Sequence, residues 1–448
     1  MKQLLAYCLS IILCVSFTGC MENYLDLYPE DKITSASFPE NESDIKLLLN
    51  GVYAQLREKE VYNQGLFGFG ITDGATPNAF NWGTDEVFNK LGAGRLSSSD
   101  GGVVTYRWKR CYEIISRANY LLACMDLVDL SEEAKAKYSG ETHFLRGLAY
   151  SVLAETYGGV PIILTNISTE EARSLKRASL EETWQQALDD YEVAITNLGV
   201  DAPEPGRATK GAALGMKMRA YLYQGKYKEV LSCVEQIDAL KKYGLFHSYE
   251  GLFDPANENN KEVLFDIQYI EGENSQGSYI DQYCGTGTGS WTRGSRYVPT
   301  DDLVAAYETI DGSPVDPENP YENRDPRLGF TAVLPGSYFL GYRFPNYLYP
   351  GGAFNHAGNR LKHLSTRKYR IQDESKLPPS GQSYINDIIL RYADVLLSKA
   401  EAIIETNGSV ADAIAILNRI RTERDDVKIS LLPTSMSREE AREKVRHE

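Results

Sequence analysis

The sequence predicts a mainly α-helical domain of paired amphipathic helices, with long loop and short-strand insertions between the pairs. Three observations carry this reading. Apolar residues recur at helical spacing over most of the 448 residues, as in Ile45, Leu48, Leu49, Val52, Tyr53 and Leu56. Helix punctuation flanks those stretches: Ser179 with Glu182 forms a capping box, and Gly158-Gly159-Val160-Pro161 is a stop. Between them lie three long stretches rich in Gly, Asn, Pro and aromatics.

The N-terminus is not part of that domain. Lys2 is the only charge before Glu22, and residues 4–18 are almost wholly apolar or small. Such a segment is a secretory signal, too short for a spanning helix. It ends in Phe17-Thr18-Gly19-Cys20, which is similar to a bacterial lipobox. The expected organisation is a signal peptide over 1–19, a lipid-anchored tether over 20–39 with lipid on Cys20, and one helical domain over 40–448. No second stretch is long and apolar enough to span a bilayer.

Helices are then expected over Tyr106–Met125 and Glu132–Tyr157, followed by one behind Ser179 carrying Trp184, Leu188, Tyr191 and Ile195. A helix from Lys210 to Gln224 is rich in small residues (Gly211, Ala212, Ala213, Gly215, Ala220). Gly225 closes it, and a partner helix spans Tyr227–Lys241. This pair reads like a tetratricopeptide unit. A second pair follows, one helix with an apolar face from Ile389 to Ile404, the other opened by Ser409 and Asp412. No fixed repeat period runs through the chain, which excludes a pure solenoid. The insertions are 62–104, 269–300 and 312–382, and Val263–Ile267 reads as a short strand.

The charge balance excludes nucleic acid as the natural partner. There are 62 acidic against 47 basic residues, a net charge of −15, and binders of nucleic acid gain affinity by neutralising phosphates. Catalytic and cofactor motifs are missing too. The five histidines (143, 247, 356, 363 and 447) make no HExxH and no ligand spacing. There is no GxSxG and no phosphate-binding loop, and Gly285–Ser290 reads as a flexible loop. No cofactor is expected. Cys111 and Cys124 sit about 20 Å apart along one predicted helix, too far to bond, and with Cys233 and Cys284 read as free thiols.

In order along the chain, a set of short motifs resembles the SusD/RagB family of Bacteroidetes outer-membrane glycan-binding lipoproteins over essentially all of residues 20–448. They are Tyr24-Leu25-Asp26; Tyr112, Ile115, Ala118 and Asn119; Phe144-Leu145-Arg146-Gly147 leading to Tyr157-Gly158-Gly159-Val160-Pro161; and Gly206-Arg207-Ala208-Thr209-Lys210. Asp325-Pro326-Arg327-Leu328, Arg367-Lys368-Tyr369, Arg391-Tyr392-Ala393-Asp394 and Asn418-Arg419-Ile420-Arg421 complete the set. Arg146, Arg391 and Asp394 are expected to be packing or salt-bridge residues of the scaffold.

The resemblance implies a SusD-like scaffold and binding without catalysis. Such a protein captures oligosaccharide at the outer membrane and sits as a lid on a SusC-like TonB-dependent transporter. A sugar presents an apolar CH face and a rim of hydroxyls, so its site needs aromatic platforms beside polar side chains. The insertions supply both. The candidate ligand-binding residues are Asn81 and Trp82 in the first, Tyr283, Trp291 and Arg293 in the second, and Tyr338 and Arg343 in the third, where six aromatics fall between Tyr338 and Tyr349. Thirty Tyr against 14 Phe suits such loops. Two other readings stand beside this one: a tetratricopeptide-type adaptor for protein or peptide, and a surface glycosidase working through paired carboxylates.

The family pattern continues beyond the point where this sequence stops, so a C-terminal truncation is expected. The last capped helix, behind Ser437 and Glu440, has Ala441 and Val445 as its apolar residues. It is expected to be weakly held, leaving apolar surface uncovered on the helices of Ile389 and Val410.

Overall fold

A computed structural model of the protein describes residues 38–57, 73–81, 90–97, 99–271, 277–278, 280, 297–344, 364–371, 373–379 and 382–448. The helices in chain order are α1 Glu42–Ala54, α2 Val103–Cys124, α3 Glu132–Tyr157, α4 Thr169–Ser174, α5 Leu180–Asn197, α6 Lys210–Tyr223 and α7 Tyr227–Ala239. Then come α8 Asp301–Ala306, α9 Pro326–Thr331, α10 Tyr392–Glu405, α11 Val410–Thr422 and α12 Arg438–His447. Caps set many of the starts. Asn41, Ser131, Ser179, Thr209, Ser409 and Ser437 each accept a backbone N–H of the first turn, at about 1 kcal/mol apiece. The boxes at Ser179/Glu182 and Ser437/Glu440 are reciprocal, as the sequence predicts.

The stop after α3 has two parts. Gly158 adopts φ +75°, a left-handed conformation that favours glycine. Gly159 is required for a different reason: a Cβ there would lie 2.0 Å from the Ala178 carbonyl oxygen, at the entry to α5. The extended segment that follows is clamped from two helices. Tyr112 donates to the Pro161 carbonyl at 2.8 Å, Asn119 to Ile163 and Thr165, and Tyr150 to Ile163 at 2.9 Å.

Packing runs through the scaffold in sequence. α3 lies against α5, α5 against α6, α6 against α7, and α7 against α10. One continuous core joins these helices with α1 and α2. Inside it Arg146 makes a forked contact to Asp190, with Nη2 at 2.7 Å, and donates to Asn119 at 2.8 Å. Both partners of the ion pair are almost fully buried, so their hydrogen bonds are what make the charges tolerable there. Asp394 pairs with Arg219 at 2.5 Å. These residues are structural, as expected.

Short strands tie the insertions to the helices. Among the described residues they are β1 Ala79–Asn81, β2 Val263–Ile267, β3 Tyr297–Pro299, β4 Ala332–Val333, β5 Tyr338–Phe339, β6 Tyr342–Arg343, β7 Ser365–Thr366 and β8 Asp387–Arg391. They form four antiparallel pairs, β1–β3, β2–β8, β4–β7 and β5–β6. β2 confirms the strand read from Val263–Ile267. β8 corrects another reading: Ile389 belongs to a strand, and its helix begins only at Tyr392. The pairing with β2 takes this stretch, and the fully buried Glu262 carboxylate fixes its end by holding Arg391 at 2.8 Å and Arg424 at 2.6 Å.

A second core, separate from the first, is built largely from the insertions. It includes Val333, Phe339, Phe344, Tyr369, Ile371 and Val427. A third lies under α12 and corrects the expectation of a weakly held last helix. Ala441 and Val445 are buried against Ile404, Ile414 and Leu417, each of which is 0–1% exposed. Arg442 pairs with Glu405 at 2.6 Å, and Arg438 donates to the carbonyls of Ile404 and Gly408. The Glu448 carboxylate bridges Arg327 at 2.6 Å and Arg421 at 3.0 Å. Polar contacts thus compensate for the scarcity of apolar residues, and the α10 and α11 faces are covered. Cys111, Cys124 and Cys233 are buried free thiols; Cys284 and Gly285–Ser290 lie outside the described residues.

Candidate functional site

The three insertions are brought together. β1, in the first, pairs with β3, in the second, in the register Ala79↔Pro299, Phe80↔Val298, Asn81↔Tyr297. Thr300 extends the ladder by donating its N–H to the Asn78 carbonyl at 3.1 Å. β3 in turn packs beside β7 of the third insertion. Ser278 and Ser383 exchange backbone hydrogen bonds at 2.7 and 3.0 Å, a tie between the second insertion and the residue that follows the third.

This convergence positions the predicted residues unequally. Asn81 ends β1, and Trp82 follows it directly in the chain. Trp82, Tyr283, Trp291 and Arg293 lie outside the described residues, as does Cys20. Tyr338 and Arg343 are described, and they are neighbours. They face each other across the β5–β6 hairpin, so they share one face. Tyr338 is 65% exposed and Arg343 is exposed. The turn between the strands uses Leu340 at φ +50° and Gly341 at φ +78°, the signs of a type I′ hairpin. Phe339 and Phe344 anchor the hairpin in the second core. An aromatic ring and a guanidinium therefore stand outward from a rigid base, which suits a sugar's CH face and hydroxyls.

Beneath β1 and β3 lies a cavity of about 560 Å³ that sequence reasoning missed. All three insertions line it, through Asn78, Pro299 and Tyr369, and the scaffold closes it with Glu155 of α3 and Tyr223 of α6. Tyr249 and Tyr307 add further aromatic surface. Asp387 at the start of β8 also faces it; burial, reinforced by Asp266 and Asp73, pushes its carboxyl up to about 7. Glu258 is likewise pushed up to about 7 by burial, against the backbone N–H of Asn386 that it accepts. The cavity is amphipathic and of ligand size. Among the described residues no group of three or more His, Cys, Asp or Glu is placed to hold a metal ion.

The chain matches two family models that together run through nearly all of it. Residues 261–448 match the SusD family, and residues 23–222 match a model described as starch-binding associating with outer membrane. It is 26% identical to SusD-like protein P25 of Formosa agariphila, over 94% of this chain and 81% of that protein. It is 24% identical to a SusD-like protein of Bacteroides ovatus, over 90% of this chain and 73% of that one. A solved structure of a SusD-like carbohydrate binding protein from Bacteroides fragilis superposes with a TM-score of 0.78 at 26% identity, covering 91% of this chain and 82% of that one. A second SusD-like protein from Bacteroides fragilis superposes at 0.79, also at 26% identity, covering 94% and 85%. The order of helical pairs, the motifs that hold them and these matches agree: the chain belongs to the SusD family.

Proposed function

We infer that the protein is a surface glycan-binding protein, which captures oligosaccharides without cleaving them and passes them to a SusC-like TonB-dependent transporter in the outer membrane. The observation that carries this reading is the joining of all three aromatic-rich insertions on one SusD-type scaffold, with Tyr338 and Arg343 exposed side by side. In this arrangement a sugar ring stacks on an aromatic face while Asn81, Arg293 or Arg343 meets its hydroxyls. Trp82, Tyr283 and Trp291 are the further platforms we assign to the site.

The adaptor reading fits the fold less well. In α6, a Cβ on Gly211 would run into Tyr243, and one on Gly215 would lie 2.3 Å from Leu390 Cδ2. These two glycines are packed against the protein's own chain, and the opening farther along the helix, at Met216, Ala220 and Tyr223, is the 560 Å³ cavity rather than a separate peptide groove. Anchorage we assign to lipid on Cys20; no described helix is long and apolar enough to cross a membrane.

Electrophoresis through gels containing single polysaccharides tests capture, and an assay of reducing ends after incubation tests cleavage. Retardation by at least one polysaccharide with no new reducing ends is expected. Release of reducing ends by the pure protein would overturn the binding-only reading in favour of a glycosidase.

A further inference from the structure

Lys368 stands where two cavities meet. It lines the 560 Å³ cavity and also a second one of about 390 Å³, enclosed by Ser248, Phe253, Phe330 and Arg367. Its ammonium sits over three rings, 4.3 Å from the centre of Phe253, 5.6 Å from Tyr369 and 5.8 Å from Tyr249. Aromatic faces hold a cation in place without neutralising it. The other charges of the smaller cavity are engaged or opposed. Glu250 is taken by Arg367 at 2.5 Å, and Asp254 accepts the Ala256 N–H at 2.8 Å. Lys368 itself forms no ion pair with a carboxylate among the described residues; its charge rests on the rings alone.

Positive charge acts on the neighbouring Tyr249 hydroxyl. Burial pushes the Tyr249 hydroxyl upward, yet Lys368, then Arg391 and Arg327, draw it below its ordinary value. Arg367 also lies over the Phe339 ring at 5.4 Å, which places the cavity beside the β5–β6 hairpin that carries Tyr338 and Arg343.

We propose that the smaller cavity receives the anionic substituent of an acidic glycan, a carboxylate or a sulfate ester, on the Lys368 ammonium. The inference rests on the glycan-binding reading and names its substrate class. The aromatic seat fixes the ammonium before the ligand arrives, so little side-chain entropy is lost on binding. A neutral sugar leaves the cation unpaired, whereas an anionic one forms a charge-assisted hydrogen bond.

Calorimetry at fixed low salt tests it with two matched pairs of probes. One is oligogalacturonate against its fully methyl-esterified form; the other is a sulfated galactan oligosaccharide against its desulfated form. The pairs separate carboxylate from sulfate. We expect the charged member of one pair to bind at least about tenfold tighter than its neutral counterpart. Lys368→Gln should reduce that preference to roughly twofold or less, and Lys368→Arg should keep most of it. Lys368→Met replaces the Gln variant should that one fail to fold. Equal binding of charged and neutral members by the unmodified protein, or a preference that survives the loss of the charge, overturns the inference and leaves the glycan reading standing. If no saccharide of either kind binds, the glycan reading fails and this inference falls with it.

Discussion

Replacing Glu262 with alanine should cost a large part of the protein's stability. The carboxylate is fully buried, between Arg424, which is 1% exposed, and Arg391, which is partly open to water. It accepts from Arg424 at 2.6 and 2.7 Å, from Arg391 at 2.8 Å and from the Phe246 N–H at 2.7 Å. Removing it leaves a buried guanidinium without its counter-charge and two like charges near each other. Breaking a buried pair from one side costs about 3–5 kcal/mol. That is a large share of a typical net stability of ~5–15 kcal/mol. Urea unfolding of the Glu262→Ala variant should show a lower midpoint with little change in slope. Glu262→Met combined with Arg424→Met should lose less than Glu262→Ala alone, because the deeper charge is removed with its partner. A loss below about 1 kcal/mol in the single variant would refute the argument that charge burial pins β8 to β2.

Other perturbations have equally definite outcomes. Gly159→Ala drives a Cβ to 2.0 Å from a backbone oxygen, so the entry to α5 must shift; a loss of ~1–3 kcal/mol is expected, read from the same unfolding curves. Asp387 and Glu258 have carboxyls raised to about 7, so the folded state binds protons that the unfolded state releases; stability should fall as pH rises from about 4 to about 7 and then level off. Asp387→Asn should flatten that slope in urea midpoints taken across the range, and an unchanged slope would contradict the assignment. Cys20→Ala should move the protein from the membrane fraction to the soluble one on cell fractionation, if lipid on that cysteine is its anchor.

The helices were legible because their signals are local. Caps such as Ser179 with Glu182 and stops such as Gly158-Gly159 lie within a few residues of the ends they set. Ile389 misled for the converse reason. It continues the apolar spacing of α10 backward with no stop between, and its place in β8 is decided by pairing with β2, remote in sequence. Strands of two or three residues, such as β1 and β3, carry no period at all, so their pairing could not be read in advance. The hold on α12 adds ion pairs to Glu405 and Glu308 to the burial of Ala441 and Val445, and those partners are remote in sequence.

The site divides in the same way. Loop composition pointed to the insertions, and Tyr338 and Arg343 do stand exposed together. The cavity beneath was invisible because Tyr223, Tyr249 and Tyr369 come from separate segments, and nothing in one segment signals the others. Lys368 belongs to the Arg367-Lys368-Tyr369 motif, but its seat on three aromatic rings exists only in three dimensions.

Isothermal titration of the mature protein with a panel of oligosaccharides, repeated on Trp82→Ala, Trp291→Ala and Tyr338→Ala, tests the central claim most directly. The account predicts saturable binding to at least one glycan class, weakened in these variants by about 0.5–1.5 kcal/mol beyond the lost contact area for each stacking platform removed. No binding to any member of the panel, or binding that all three substitutions leave unchanged, would contradict it.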